Sequence, residues 1–140
     1  MSQIAKEGKK TMLIRNMALH LVKGVEEKNW RLEVKRIFEF VRDKIRYVKD
    51  IRGVETLSTP TDILKMGQGD CDDKSILVAS LLESIGHPTR FIAAGFNNLP
   101  YSHVFTQTKI GNKWVTLECT ENWPLGRTPP SITSKLTRYN

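Results

Sequence analysis

Cys71 is the residue best placed to act as a nucleophile. It follows the break Gly67-Gln68-Gly69-Asp70 and opens an apolar run, so it falls at the start of a helix. Free N–H groups and the helix dipole at that end stabilise a thiolate and lower a cysteine's pKa. The same N–H groups can hold an oxyanion. A thiolate needs a neighbouring base, and the base needs a group that orients it. His103 and Glu118 meet both needs. Gly111-Asn112 reads as a two-residue hairpin loop, which pairs Ile110 with Lys113. Counting back from that pair sets His103 opposite Thr120 and Phe105 opposite Glu118. Side chains alternate along a strand, so His103 and Glu118 share one face. As diagonal neighbours their Cα atoms stand about 7–8 Å apart, within side-chain reach.

Three acidic residues work against this arrangement. Asp70, Asp72 and Asp73 flank Cys71, and negative charge raises a cysteine's pKa. A histidine cation must outweigh them, or their side chains must turn away. They lack the alternating spacing and terminal Glu of a calcium loop, and no Cys/His spacing suggests zinc, so no metal or cofactor is expected. Cys119 alternates with Glu118 and is expected in the core, away from the site and not disulfide-bonded to Cys71. Two cysteines make no disulfide framework, which points to a reducing, cytoplasmic setting.

The elements that must carry these residues can be read from periodicity. Ile14, Met17, Ala18, Leu21, Val22 and Val25 recur at three- and four-residue steps, one helical stripe. Trp30, Val34, Ile37, Phe38, Val41, Ile45 and Val48 continue that step over five turns, with Asn29 as the cap and Gly53 ending the pattern. Thr59 and Pro60 start a short helix that runs to about Met66. From Cys71, the run Ile76, Leu77, Ala79, Leu81, Leu82 and Ile85 is too apolar for a surface helix and predicts a central buried one, closed by Gly86 and Pro88. Three strands follow: Arg90 to Phe96, Tyr101 to Ile110 and Lys113 to Thr120, with a turn at Asn97-Asn98-Leu99-Pro100. From Trp123 onward, Pro124, Pro129, Pro130 and many Ser/Thr predict an irregular tail. Helices first and an antiparallel meander after them make an α+β domain.

One domain over 1–140 accounts for the length: a basic N-terminal helix over 1–28, a core over 29–125 and a tail over 126–140. With 39% hydrophobic and 26% charged residues the composition is that of a globular chain, not a collagen-like, coiled-coil or disordered one. No stretch approaches the ~20 apolar residues of a membrane helix, and the N-terminus shows no apolar secretion signal. The net charge of +7 lies wholly in residues 1–53, where 14 Lys/Arg face 7 Asp/Glu; the remainder balances at 8 against 8. That basic third could meet an acidic protein or a nucleic acid. Aromatic residues are not interleaved with its charges as base-stacking platforms would be.

Taken in order, these motifs resemble the transglutaminase-like superfamily, papain-related enzymes with a Cys-His-Asp triad. The resemblance rests on Ile45-Arg46-Tyr47, on Gly69-Asp70-Cys71-Asp72-Asp73-Lys74, on Leu81-Leu82 with Gly86 and Arg90, on His103-Val104-Phe105, and on the run from Gly111 to Thr120. It spans about residues 34–125 and departs at Glu118, where the family pattern carries Asp. It implies a papain-like core, with a central nucleophile helix packed on a meander of three or more strands. It also implies thiol acyl transfer: Cys71 attacks an amide carbonyl, His103 moves the proton and Glu118 holds the imidazole. The Cys71 N–H would form half of the oxyanion hole, with Tyr47 and Gln68 as candidates for the other half. Water as acceptor gives a cysteine peptidase or amidase acting on a protein or peptide; a lysine amine gives a cross-linking enzyme. The calcium-site loops and extra β-domains of the large cross-linkers are missing, and the chain looks like the short, free-standing bacterial and phage members, so hydrolysis is preferred. The rival reading is a non-catalytic adaptor or virion component that keeps the fold, although a scaffold needs none of the three site residues.

Overall fold

The computed structural model describes residues 1–49, 58–96, 98 and 102–140. Gly53 and most of the turn expected at Asn97–Pro100, together with Tyr101, lie outside the described residues.

Helix α5 (Cys71–Ser84) is the central element. Its residues from Asp73 to Leu82 are all buried, the apolar ones from Ile76 onward as expected and Asp73, Lys74, Ser75 and Ser80 with them. Each fully buried Leu or Ile contributes roughly 1.5–3 kcal/mol, so this helix holds much of the core energy. It ends in a Schellman turn: the His87 N–H donates to the Leu82 carbonyl (3.0 Å) and the Gly86 N–H to that of Glu83 (3.1 Å). Gly86 adopts φ +94°, which only glycine enters without strain.

Four further helices pack around α5. The N-terminal segment expected as one basic helix is two. Short α1 (Ser2–Gly8) precedes α2 (Met12–Leu21). Ala5 of α1 is fully buried, and its carbonyl accepts from Ser80 Oγ of α5 at 3.3 Å. In α2, Ile14 and Ala18 are buried as the stripe predicts, but the helix stops at Leu21, before Val25. Helix α3 (Trp30–Lys44) starts at the expected cap, where Asn29 Oδ1 accepts from the Leu32 N–H at 3.3 Å. It buries Val34, Ile37, Phe38 and Val41 while Arg31, Lys35 and Arg36 face outward. It does not reach Val48. Ile45 turns extended, and Arg46–Tyr47 form a two-residue strand, β1. Helix α4 (Pro60–Met66) is capped by Thr59 Oγ1, which accepts from the Asp62 N–H. After it, Gln68–Gly69 form β2, which pairs with β1 in parallel register, Arg46 with Gln68 and Tyr47 with Gly69.

The main sheet has four antiparallel strands in the order β5-β4-β3-β6, made of β3 (Thr89–Phe96), β4 (His103–Ile110), β5 (Lys113–Leu117) and β6 (Ile132–Tyr139). The hairpin register is the expected one, with Ile110 opposite Lys113 and Thr106 opposite Leu117. Strand β5 stops at Leu117, short of Thr120. The tail corrects the expectation more sharply: within 126–140, residues 132–139 form a regular strand. Gly126 N–H donates to the Thr116 carbonyl (2.9 Å) and Thr128 Oγ1 bonds Thr116 Oγ1 (2.7 Å), which carries the chain past β5. It then returns as β6, pairing with β3 from Phe96–Ile132 to Arg90–Tyr139. The prolines occupy the crossing, and Ile132-Thr133-Ser134 onward supplies ordinary strand residues.

The sheet has two different faces. One packs on the helices, where Phe91 and Val104 meet Ile76, Ala79 and Ala5. The other carries a smaller core of Ile92, Ala94 and Phe105, with Phe96 and Ile132 packed against it. Among the described residues, no helix is long and apolar enough to cross a membrane.

Candidate active site

Cys71 is the first residue of α5. Its helix start is fixed by a reciprocal pair: Asp70 Oδ1 accepts from the Asp73 N–H (2.9 Å), and Asp73 Oδ2 accepts from the Asp70 N–H (3.2 Å). Two of the three acidic side chains are thus turned onto the helix end. Asp72 is not: its Oδ1 lies 3.9 Å from Cys71 Sγ as a hydrogen-bond partner. Gly69 is required by this arrangement, because a Cβ there would lie 2.5 Å from Asp73 Cβ. Asp73 Oδ1 is buried with no hydrogen-bond partner among the described residues. Burial, with the Asp70 charge adding to it and a backbone hydrogen bond opposing it, pushes the Asp73 carboxyl up to about 6.

His103 opens β4, and Glu118 follows the last residue of β5. The β4–β5 ladder ends at Thr106–Leu117, so the two residues are not paired across it, although His103 is paired with Ala94 of β3. They still share the face the hairpin count assigned, and they meet: His103 Nε2 lies 2.6 Å from Glu118 Oε2. The Glu118 side chain is 1% exposed and that of His103 21%. The other carboxylate oxygen, Glu118 Oε1, accepts from the Thr120 hydroxyl (2.7 Å) and the Thr120 N–H (3.2 Å). Both lone-pair sets of this buried carboxylate are therefore used. Burial works against an imidazolium at His103, but hydrogen bonds to Cys71 and Glu118 and the charges of both outweigh it, and its pKa is pushed up to about 10. His103 and Glu118 thus meet directly, and Cys71 is among the groups that raise the imidazole's pKa.

Cys119, one residue on, points the opposite way into the main core, and both cysteines are free thiols. Complete burial holds the Cys119 thiol far above its ordinary range. The two thiols are therefore chemically unlike.

Tyr47 and Gln68 lie on the two-residue strands that lead up to Cys71, with exposed side chains. Burial, then the negative charges of Cys71, Asp70, Glu121 and Glu118, raise the Tyr47 hydroxyl pKa, so it stays a proton donor near the thiol. Gln68 forms no side-chain hydrogen bond among the described residues.

Two residues contribute that the sequence reading did not assign. Lys74 is 2% exposed, and its Nζ donates to the Ile45 carbonyl (2.7 Å) and the Arg42 carbonyl (3.2 Å). It ties α5 to the C-terminal end of α3, where the dipole favours a cation; burial lowers its pKa. A lysine inside an apolar helical run is the signal that marked it. Thr120 is the second; a hydroxyl two residues from a carboxylate is a common local hydrogen-bonding pattern.

Two cavities flank the Thr120–Glu121 segment. One of about 280 Å3 is lined by Phe96, His103, Glu118, Trp123 and Pro129–Pro130 as well as that segment. The other, about 430 Å3, runs along 42–47 to Lys74 and Asn122. Among the described residues, no group of three His, Cys, Asp or Glu is arranged to hold a metal ion.

No curated protein matches its sequence. Solved structures share its fold. A candidate cysteine protease of Cytophaga hutchinsonii superposes with TM-score 0.66 at 16% identity, over 91% of this chain and 50% of that one. A candidate protease of Parabacteroides distasonis gives 0.68 at 13%, over 87% of this chain and 26% of that one. Calcium-bound LapG of Legionella pneumophila gives 0.65 at 16%, over 94% of this chain and 80% of that one. This chain therefore spans about half the length of the first neighbour and about a quarter of the second. The profile of the Transglutaminase-like superfamily matches residues 15–119, three quarters of the sequence, and the chain belongs to that superfamily.

Proposed function

We propose that this protein is a cysteine peptidase or amidase that works through a covalent thioester. The observation that carries the reading is the imidazole of His103, held by Glu118 on one nitrogen and raised in pKa by Glu118 and by the Cys71 thiol at the start of α5. A raised pKa makes His103 a base strong enough to take the thiol proton. Sγ then attacks the amide carbonyl carbon. The negative charge that develops on oxygen meets the Cys71 N–H, with the Tyr47 hydroxyl as the second donor. As the C–N bond breaks, His103 passes its proton to the departing amine. Water, deprotonated by the same imidazole, attacks the thioester, and the thiol recovers the proton. The sum is one amide and one water giving one acid and one amine. Glu118 fixes which ring nitrogen faces the thiol and supports the imidazolium. Its extra methylene relative to Asp is taken up by burial and by the two Thr120 hydrogen bonds.

Iodoacetamide labelling at neutral pH tests the nucleophile. Cys71 should react at least about 100-fold faster than Cys119, since thiolate character and exposure both favour it. His103→Ala should slow Cys71 alone. Equal, slow labelling of the two cysteines refutes the proposal. A peptide-library digest with and without a primary amine then separates the acceptors: new carboxyl termini mark hydrolysis, and amine incorporation marks transamidation.

A further inference from the structure

We propose that the cavity of about 280 Å3 beside His103 receives the side chain that follows the scissile amide, and that Glu121 selects lysine or arginine there. This rests on the acyl-transfer reading. His103 gives its proton to the leaving amine, so the residue bearing that amine must lie on the imidazole's side of the carbonyl. His103 forms part of the wall of this cavity, so a side chain seated there lies next to the proton donor. Its volume falls just below the ~300–1,000 Å3 of pockets that enclose whole small ligands, which suits a single side chain.

The walls define the chemistry. Phe96, Trp123, Pro129 and Pro130 present apolar surface. Three polar residues complete the lining besides Glu121. His103 and Glu118 are bonded to each other, and Thr120 is bonded to Glu118. Glu121 is exposed and forms no ion pair or hydrogen bond among the described residues. It also borders the larger cavity, whose wall carries Lys44 and Arg46, and neither is paired with it. A long side chain with an apolar stem and a cationic head matches this lining. The stem lies against the indole and the prolines while the head stays hydrated beside Glu121. One face of the Trp123 ring is covered by the Arg127 guanidinium at 4.4 Å, so the stem uses the remaining apolar wall. An acidic side chain would instead meet Glu121 as a like charge, the Glu118 carboxylate being paired with His103.

The amides of lysine, arginine, norleucine and glutamate carry the free α-amine that a leaving product has. They would be titrated into Cys71→Ala protein, which cannot turn over, with indole fluorescence and amide chemical shifts as the readout. The lysine and arginine amides should bind at least about fivefold tighter than the other two. Glu121→Gln in the same background should remove that advantage and leave norleucine amide unchanged. Equal affinities for the four amides, or a cation preference that survives Glu121→Gln, overturn the proposal. A library digest with the wild-type chain distinguishes the two levels. A cation preference in binding with no peptide cleaved overturns the acyl-transfer reading while the selectivity stands. Cleavage indifferent to the residue after the bond overturns the selectivity alone.

Discussion

His103 lies under three competing influences, and their order fixes its proton. Burial favours the neutral ring, whereas Cys71 and Glu118 favour the cation and prevail, moving the pKa from 6.5 to about 10. The sign for stability follows. A base whose pKa is raised on folding contributes stability that is complete below the unfolded value of 6.5 and is lost as pH rises through about 10. The contributions can be separated by removing partners. In wild type, the imidazole carbon-bound protons should titrate with a midpoint well above 8 by NMR. Cys71→Ser removes one of the two partners that raise the His103 pKa and should lower the midpoint. Adding Glu118→Gln leaves only burial, and the midpoint should then fall below 6.5. A wild-type midpoint near 6.5, unchanged by Cys71→Ser, would mean that the thiol and the ring do not interact in solution.

At the scale of elements, the site depends on how β2 delivers the chain into α5. Gly69 is paired with Tyr47 on one side and pressed against Asp73 on the other. An added methyl group would stand 2.5 Å from another Cβ, and neither atom can rotate away. Gly69→Ala should therefore cost about 1–3 kcal/mol in urea unfolding, the usual penalty of overpacking. Asp73→Ala would bring no relief, because its Cβ remains. In an Asp73→Gly background the cost of Gly69→Ala should shrink, giving a coupling of about 0.5–3 kcal/mol; additive effects would show that the contact does not constrain the turn. This junction also explains what could be read in the sequence. His103 and Glu118 were legible because a two-residue loop sets a register by counting. The start of α3 was legible because Asn29 has the chemistry of a cap. Its end was not: Ile45 and Val48 keep the helical step, yet Ile45 turns extended so that Arg46 and Tyr47 can pair with β2. A two-residue strand is too short to show a period of its own. Helix α1 is similarly brief, and its burial depends on Ser80, far away in sequence.

At the scale of the whole molecule, the C-terminal strand links stability to the site. Without β6, strand β3 would become a sheet edge, and the apolar patch of Ile92, Ala94 and Phe105 would lose Ile132. Several specific bonds would go with it. Asn140 joins Thr89 through its N–H (3.1 Å) and its side-chain amide (2.9 Å), and the Arg90 guanidinium, stacked 4.3 Å over Trp114, also bonds the Tyr139 hydroxyl (3.1 Å). The prolines that make this region look irregular lie in the crossing that leads to β6, and two of them wall the cavity beside His103. Ending the chain after Ser131 should therefore do more than shorten a tail. The midpoint of thermal unfolding should fall by at least about 10 °C, the equivalent of several kcal/mol for a domain of this size, and the exposed apolar edge should promote aggregation. Cys119 should also become labelled by iodoacetamide as the core loosens, which reduces the contrast with Cys71. A truncated chain that unfolds cooperatively within about 2 °C of the full one, with its thiols still discriminated, would show that β6 is dispensable and that the sheet closes on three strands.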